Sequence, residues 1–118
     1  MNRTLRGILR TILLDVIDKK GPLYGLEIVR EVESVSEGTG NGKKIVLNAG
    51  SLYPALHTFE RQGLVKVETR PAPRGGGTVN YYELTPKGKR ELAKQREEVE
   101  TLFVFGRAML GLKGLLRL

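Results

Sequence analysis

The sequence changes its apolar period once and then changes back, and this constrains the fold more than any other feature. Helical spacing governs the first half. Two alternating runs, LVKVETR and TVNYYELT, then flank the proline- and glycine-rich PAPRGGG, and helical spacing resumes after Thr85-Pro86. Alternation places successive side chains on opposite faces of a strand, and a short proline- and glycine-rich connection folds two such strands into a hairpin.

Leu5, Ile8, Leu9, Ile12, Leu13, Val16 and Ile17 form one broad stripe, which predicts a first helix ending at KKGP. Ile28, Val32 and Val35 predict a second from about Tyr24 to Ser36. A loop, EGTGNGKK, follows, and Ile45-Val46-Leu47 is short and β-prone. Asn48 is a good cap for a third helix in the stretch GSLYPALHTFERQG, where Leu52, Ala55, Leu56 and Phe59 share a side and Gly63 marks the stop. Proline at the first position after Thr85 opens a fourth helix to about Phe105, with Leu92, Val99 and Leu102 or Phe103 on one face. The tail, GRAMLGLKGLLRL, is apolar, basic and interrupted by Gly106, Gly111 and Gly114, which argue against a stable amphipathic helix there. The expected architecture is mainly α with a small β-hairpin: a winged helix-turn-helix domain over residues 1–85, then a C-terminal dimerisation helix and tail over 86–118.

Composition narrows the function classes. The 118 residues suit one domain. With no cysteine there is no disulfide, thiolate metal site or cysteine nucleophile, a pattern that fits a reducing cytoplasm. One histidine, His57, leaves no His-rich metal cluster and no partner for a catalytic base. Gly75-Gly76-Gly77 lacks the lysine and the strand-to-helix setting of a phosphate cradle. An enzyme and a bound cofactor or metal are therefore not expected. The N-terminus lacks a cleavage site, and no apolar stretch is long enough to span a membrane. The formal charge of +7 points to a polyanionic partner.

That charge is concentrated. From Leu64 to Arg90 the chain carries six basic and two acidic residues, a net +4, including Arg70 and Arg74 of the hairpin. Beside it, the side of the third helix opposite its apolar residues holds Gly50, Pro54, His57 and Arg61, flanked by Tyr53 and Ser51. A helix entering the major groove needs small or flat residues at its amino end, then hydrogen-bonding side chains. If Asn48 caps the helix, Pro54 lies one turn inside and leaves the Gly50 carbonyl unpartnered, which predicts a local bend. The alternative is a helix that begins near Tyr53, with Pro54 in its first turn.

GPLYGLEI at 21–28, GSLYPALHTFERQGLV at 50–65 and YYELTPKGKREL at 81–92, with their spacing, resemble the PadR family of bacterial transcriptional regulators over about Leu13 to Leu92. The resemblance implies a homodimeric repressor on double-stranded DNA. It implies that Ser51, Tyr53, Pro54 and His57 read the duplex, that the hairpin is the wing, and that the last helix makes the dimer. It also implies that Tyr24, with Lys43 and Lys44 before the third helix, lies near the DNA backbone. Some members respond to flat aromatic molecules at the dimer centre, so a small aromatic effector is an implied partner. Departures include Leu26 where the family often has tyrosine, and Val79-Asn80 where it usually has a basic residue.

A dimer also follows from the surplus of apolar surface on the first and fourth helices, with Leu5, Leu9, Leu92, Val99, Leu102 and Phe103 as contacts. Two copies would meet a pseudo-palindromic operator with half-sites about one helical turn apart. Two other readings are a winged-helix protein-interaction module that does not bind DNA and a membrane-surface role for the tail. The glycines of the tail weigh against the latter, so no membrane partner is expected.

Overall fold

The computed structural model describes residues 3–37 and 47–116. Its elements follow in the order α1 (Arg3–Lys20), β1 (Leu23–Tyr24), α2 (Gly25–Glu37), α3 (Ala49–Arg61), β2 (Val65–Pro71), β3 (Thr78–Leu84) and α4 (Pro86–Leu116). The β-strands form one antiparallel sheet ordered β1-β3-β2. Three helices thus precede the hairpin and one follows it, as the periodicities require.

The stripes converge on one core. Leu13, Leu14 and Ile17 of α1, Ile28 and Val32 of α2, and Leu52, Leu56 and Phe59 of α3 are fully buried, together with Leu92 of α4. The inner face of the sheet adds Leu23, Val65, Tyr82 and Leu84, and Leu47 seals the entry to α3. Burial pushes the Tyr82 phenol above its ordinary value, because the charged form loses water.

β1 is a finding that the sequence pattern does not reveal. The second helix was expected to include Tyr24; instead Leu23 and Tyr24 pair with Tyr82 and Tyr81, which makes the expected two-stranded hairpin a three-stranded sheet. α2 begins one residue later, where the Glu27 carboxylate accepts from the Tyr24 amide at 3.2 Å. Leu47 is not in a strand, and Ile45 and Val46 lie outside the described residues.

α4 is the second difference. It runs 31 residues, past Phe105 and through Gly106, Gly111 and Gly114 to Leu116. Each glycine costs about 1 kcal/mol relative to alanine inside a helix, so glycine lowers helix propensity without forbidding it. The first half of α4 is fixed to α1: the Thr11 hydroxyl lies 2.9 Å from Gln95 Oε1, Arg96 pairs with Asp15, and Leu92 enters the core. Among the described residues no helix is long and apolar enough to cross a membrane.

Candidate nucleic-acid interface

α3 is built from its cap inward. The Asn48 side chain accepts from the Ser51 amide at 3.0 Å, and Asn48 keeps an extended backbone. The helix therefore starts at Ala49, not near Tyr53, and Pro54 lies inside it. The Thr58 hydroxyl donates to the Pro54 carbonyl at 2.9 Å. At the other end Gly63 takes φ 74°, which lets the Leu64 amide return to the Phe59 carbonyl at 2.8 Å.

The two sides of α3 divide as the spacing predicts. Leu52, Leu56 and Phe59 are at most 1% exposed, whereas Ser51, Tyr53, Pro54, His57 and Arg61 are all exposed. Tyr53 is half exposed, and the rest of its ring lies over the first residue of α2: a Cβ added to Gly25 would run into the Tyr53 hydroxyl. Arg10 of α1 covers the Phe59 ring, with its guanidinium 5.2 Å from the centroid, and donates to Gln62 at 3.1 Å.

The outward face of the sheet continues this surface. Tyr24 and Tyr81 are cross-strand partners, with ring centroids 5.5 Å apart in an edge-on arrangement. The Arg70 guanidinium sits 4.8 Å from the Tyr81 centroid and donates to Glu68 at 2.8 Å. Hydrogen bonding from Arg70 holds the Glu68 carboxyl below its ordinary value, and the same bond holds the Arg70 guanidinium above its own. Lys66 pairs across the strands with Glu83 at 3.5 Å. Beyond, the turn Ala72–Gly77 is closed by the Ala72 amide on the Gly77 carbonyl at 2.9 Å, and Arg74 is exposed within it.

The expected DNA-contacting residues thus divide. Tyr24, Tyr53 and Arg70 lie along one line from α3 over the start of α2 to the sheet, and Ser51, Pro54, His57 and Arg61 occupy the exposed side of α3. Arg74 stands apart at the hairpin turn. Lys43 and Lys44 lie outside the described residues. Glu68 and Tyr81, the partners of Arg70, were not among the expected site residues. Residues two apart on a strand share a face, so the Glu68–Arg70 pairing was there to be read.

The expected dimer contacts divide as well. Leu9 is partly buried against the core, and Val99 is partly exposed. Leu92 is 1% exposed within the chain itself, so its burial needs no second copy. Leu102 is 54% exposed, as are Val104 at 56% and Phe105 at 64%, two residues that a single-face pattern on α4 does not include. The side chains of Leu5 and Phe103 lie outside the described residues. The apolar run TLFVF within an otherwise charged helix was the available signal for Val104 and Phe105.

Three helices, a hairpin with a short third strand, and a polar helix face beside a basic wing define a winged helix-turn-helix protein. The model of the PadR-like family of transcriptional regulators matches residues 13–94, and the chain belongs to that family. It is a transcriptional regulator, not an enzyme. Among solved structures, a PadR-like transcriptional regulator from Bacillus cereus is 20% identical, with a TM-score of 0.73 over 92% of this chain and 97% of that one. A transcriptional regulator from Streptococcus is 23% identical, with a TM-score of 0.72 over 92% and 98%. A PadR family transcriptional regulator from Eggerthella lenta is 26% identical, with a TM-score of 0.70 over 89% and 83%. No curated protein matches the chain.

Proposed function

We propose that the protein is a homodimeric, sequence-specific DNA-binding repressor acting in the cytoplasm. α3 enters the major groove, the wing contacts the adjacent backbone, and a small aromatic effector relieves binding. The observation that carries the reading is the division of α3: five polar or flat residues are exposed along a helix whose other side is fully buried. Any surface helix carries polar side chains on its solvent side; what distinguishes α3 is that Ser51, Tyr53, His57 and Arg61 can all donate hydrogen bonds from one exposed face. A helix in the groove uses their hydroxyl, imidazole and guanidinium groups against base edges and phosphates. In this reading Lys43 and Lys44, which precede α3 in the sequence, contact the DNA backbone.

Support for the dimer is the second half of α4, which leaves Leu102, Val104 and Phe105 exposed. Exposed apolar side chains at that density on one helix favour a second copy over water. An open cleft of about 240 Å³ between α1 and α4, lined by Ile8, Thr11, Gln95, Val99 and Leu102, adjoins this surface and supplies room for an effector.

The test is a gel shift with DNA from upstream of the protein's own gene, at several salt concentrations. Binding that falls steeply with salt is expected, because each phosphate contact releases counterions. Absent or salt-insensitive binding would sink the reading. One observation favours a second reading, a protein-interaction module without DNA binding: Lys66 and Arg70, two of the wing's cations, already hold carboxylates. Arg61→Ala and Arg74→Ala separate the two, since only a DNA-binding protein loses duplex affinity when they are removed.

A further inference from the structure

On the solvent face of the wing sheet, Tyr24, Tyr81, Arg70 and Glu68 stand in one line, and the two partners of Arg70 serve separable ends. The Tyr81 ring, 4.8 Å from the guanidinium, fixes its direction, while the Glu68 carboxylate, 2.8 Å away, cancels its charge. We infer that Glu68 is an intramolecular competitor for Arg70, occupying the guanidinium that a DNA phosphate would otherwise take and so holding down affinity for duplex DNA regardless of sequence. This rests on the DNA-binding reading above.

Strand geometry makes the competition obligatory. Residues 68 and 70 alternate onto the same face of β2, and Glu68 lies directly opposite Tyr81 in the register. A carboxylate at 68 is therefore always within reach of a guanidinium held on that ring. The pair is also open to exchange: the Arg70 and Glu68 side chains are 40% and 65% exposed, so a phosphate can replace the carboxylate without unburying either group. Exposed ion pairs contribute little to stability, whereas a phosphate contact gains from counterion release. Breaking the pair thus offsets part of what a phosphate contact gains, and the charge at 68 sets how much.

The line also reaches the reading helix. Tyr53 of α3 rests on Gly25, the residue before it is Tyr24, Tyr24 packs edge-on to Tyr81, and Tyr81 carries Arg70. A duplex lying along Tyr53 and Tyr24 brings its backbone towards Arg70. Glu83 neutralises Lys66 on the same sheet, so two cations that a charge count assigns to DNA are held by the protein itself.

The test is Glu68→Gln, which keeps the shape and removes the charge, alone and combined with Arg70→Ala. Two duplexes are used, one selected from a random pool by the wild-type protein and one of random sequence. Expected for Glu68→Gln is tighter binding to both duplexes by the same factor, because phosphate contacts carry no sequence information. The gain itself grows about 3.5-fold per protomer for each fourfold drop in salt, because the salt slope is steeper by about 0.9 per protomer. In the Arg70→Ala background the gain disappears. If the wild type binds but Glu68→Gln binds equally or more weakly, Glu68 is not a competitor. A gain that survives Arg70→Ala also overturns the proposal, since it would come from net charge alone. A wild type that fails to bind either duplex at low salt removes the DNA-binding reading itself, and is recognised by its independence of residue 68.

Discussion

The Tyr53 phenol lies over Gly25, so that the first residue of α2 and the exposed side of α3 share one contact with no space for a methyl group. Glycine at 25 therefore sets the angle at which Tyr53 leaves the helix. Gly25→Ala is expected to push the half-exposed ring outward, with a stability loss of about 1 kcal/mol or less, because the colliding atoms are the far end of a side chain that can swing into solvent. DNA affinity is expected to fall with it. Combining it with Tyr53→Phe removes the colliding hydroxyl and should recover part of the stability but not the affinity. Urea unfolding and fluorescence anisotropy on the same four proteins check the cycle.

The joint between the sheet and α4 is equally tight. The Thr85 hydroxyl donates to the Gly63 carbonyl at 2.6 Å and accepts from the Gly88 amide at 3.0 Å, capping α4. A Cβ on Gly88 would collide with the Leu64 carbonyl, a backbone atom with little freedom to move. Gly88→Ala is expected to lower the denaturation midpoint by an amount equivalent to about 2 kcal/mol or more, with an unchanged m-value. A midpoint within error of wild type would mean that the joint opens freely.

These two joints show where the sequence was readable and where it was not. The apolar stripes of α1 and α3, the Asn48 cap and the Gly63 stop were all legible, because each depends only on residues close together in the chain. β1 was not: two residues have no period, and Leu23 and Tyr24 become a strand only through Tyr82 and Tyr81, nearly sixty residues away. The length of α4 was not legible either, because intrinsic glycine propensity argues for an early stop while continuation of a long helix outweighs it. Arg70 looks like a free cation only when charges are counted without assigning strand faces. Glu68 precedes it by two, and that spacing alone announces a pair.

Asp15 ties α4 to α1 and makes stability depend on acid. Desolvation raises its carboxyl, but hydrogen bonds and charge from Arg96 and Lys19 together outweigh it, and the folded value lies below the ordinary one. A lowered folded value means that the stabilisation is fully present above about pH 4, the ordinary carboxylate range, and is lost as pH falls through the folded value. Asp15→Asn should cost about 1 kcal/mol or less at pH 7, since Arg96 and Lys19 are substantially exposed. The difference between mutant and wild type should shrink towards zero near pH 2. Urea unfolding of both proteins at the two pH values measures it, and a constant difference would contradict the assignment.

The exposed apolar side chains of α4 predict how assembly fails. Leu102→Glu with Phe105→Glu places two charges on surface that the proposed dimer buries, while leaving untouched the Leu92, Thr11–Gln95 and Asp15–Arg96 contacts that hold α4 to α1. Sedimentation equilibrium should show a dimer for the wild type and a monomer for the double variant, with helical content retained. The wild type's Tm should rise with protein concentration and the variant's should not. Equal masses for the two proteins would remove α4 from the interface.

His57 and Arg74 differ in what they meet, and the difference is measurable. His57 is exposed in the middle of α3, one turn beyond Tyr53, where a groove-bound helix comes closest to base edges. Arg74 is on the wing turn, away from α3, where only backbone or minor-groove contact is available. Arg74→Ala should therefore weaken binding to selected and random duplexes alike and flatten the salt slope by about 0.9 for each phosphate that Arg74 neutralises. His57→Ala should leave that slope nearly unchanged and narrow the gap between the selected and random duplexes, by about tenfold if a base-edge hydrogen bond is removed. Anisotropy titrations of both variants against both duplexes, at four salt concentrations, separate the two effects. If His57→Ala weakens both duplexes equally, α3 meets phosphates there, and the sequence must be read by Ser51, Tyr53 and Arg61.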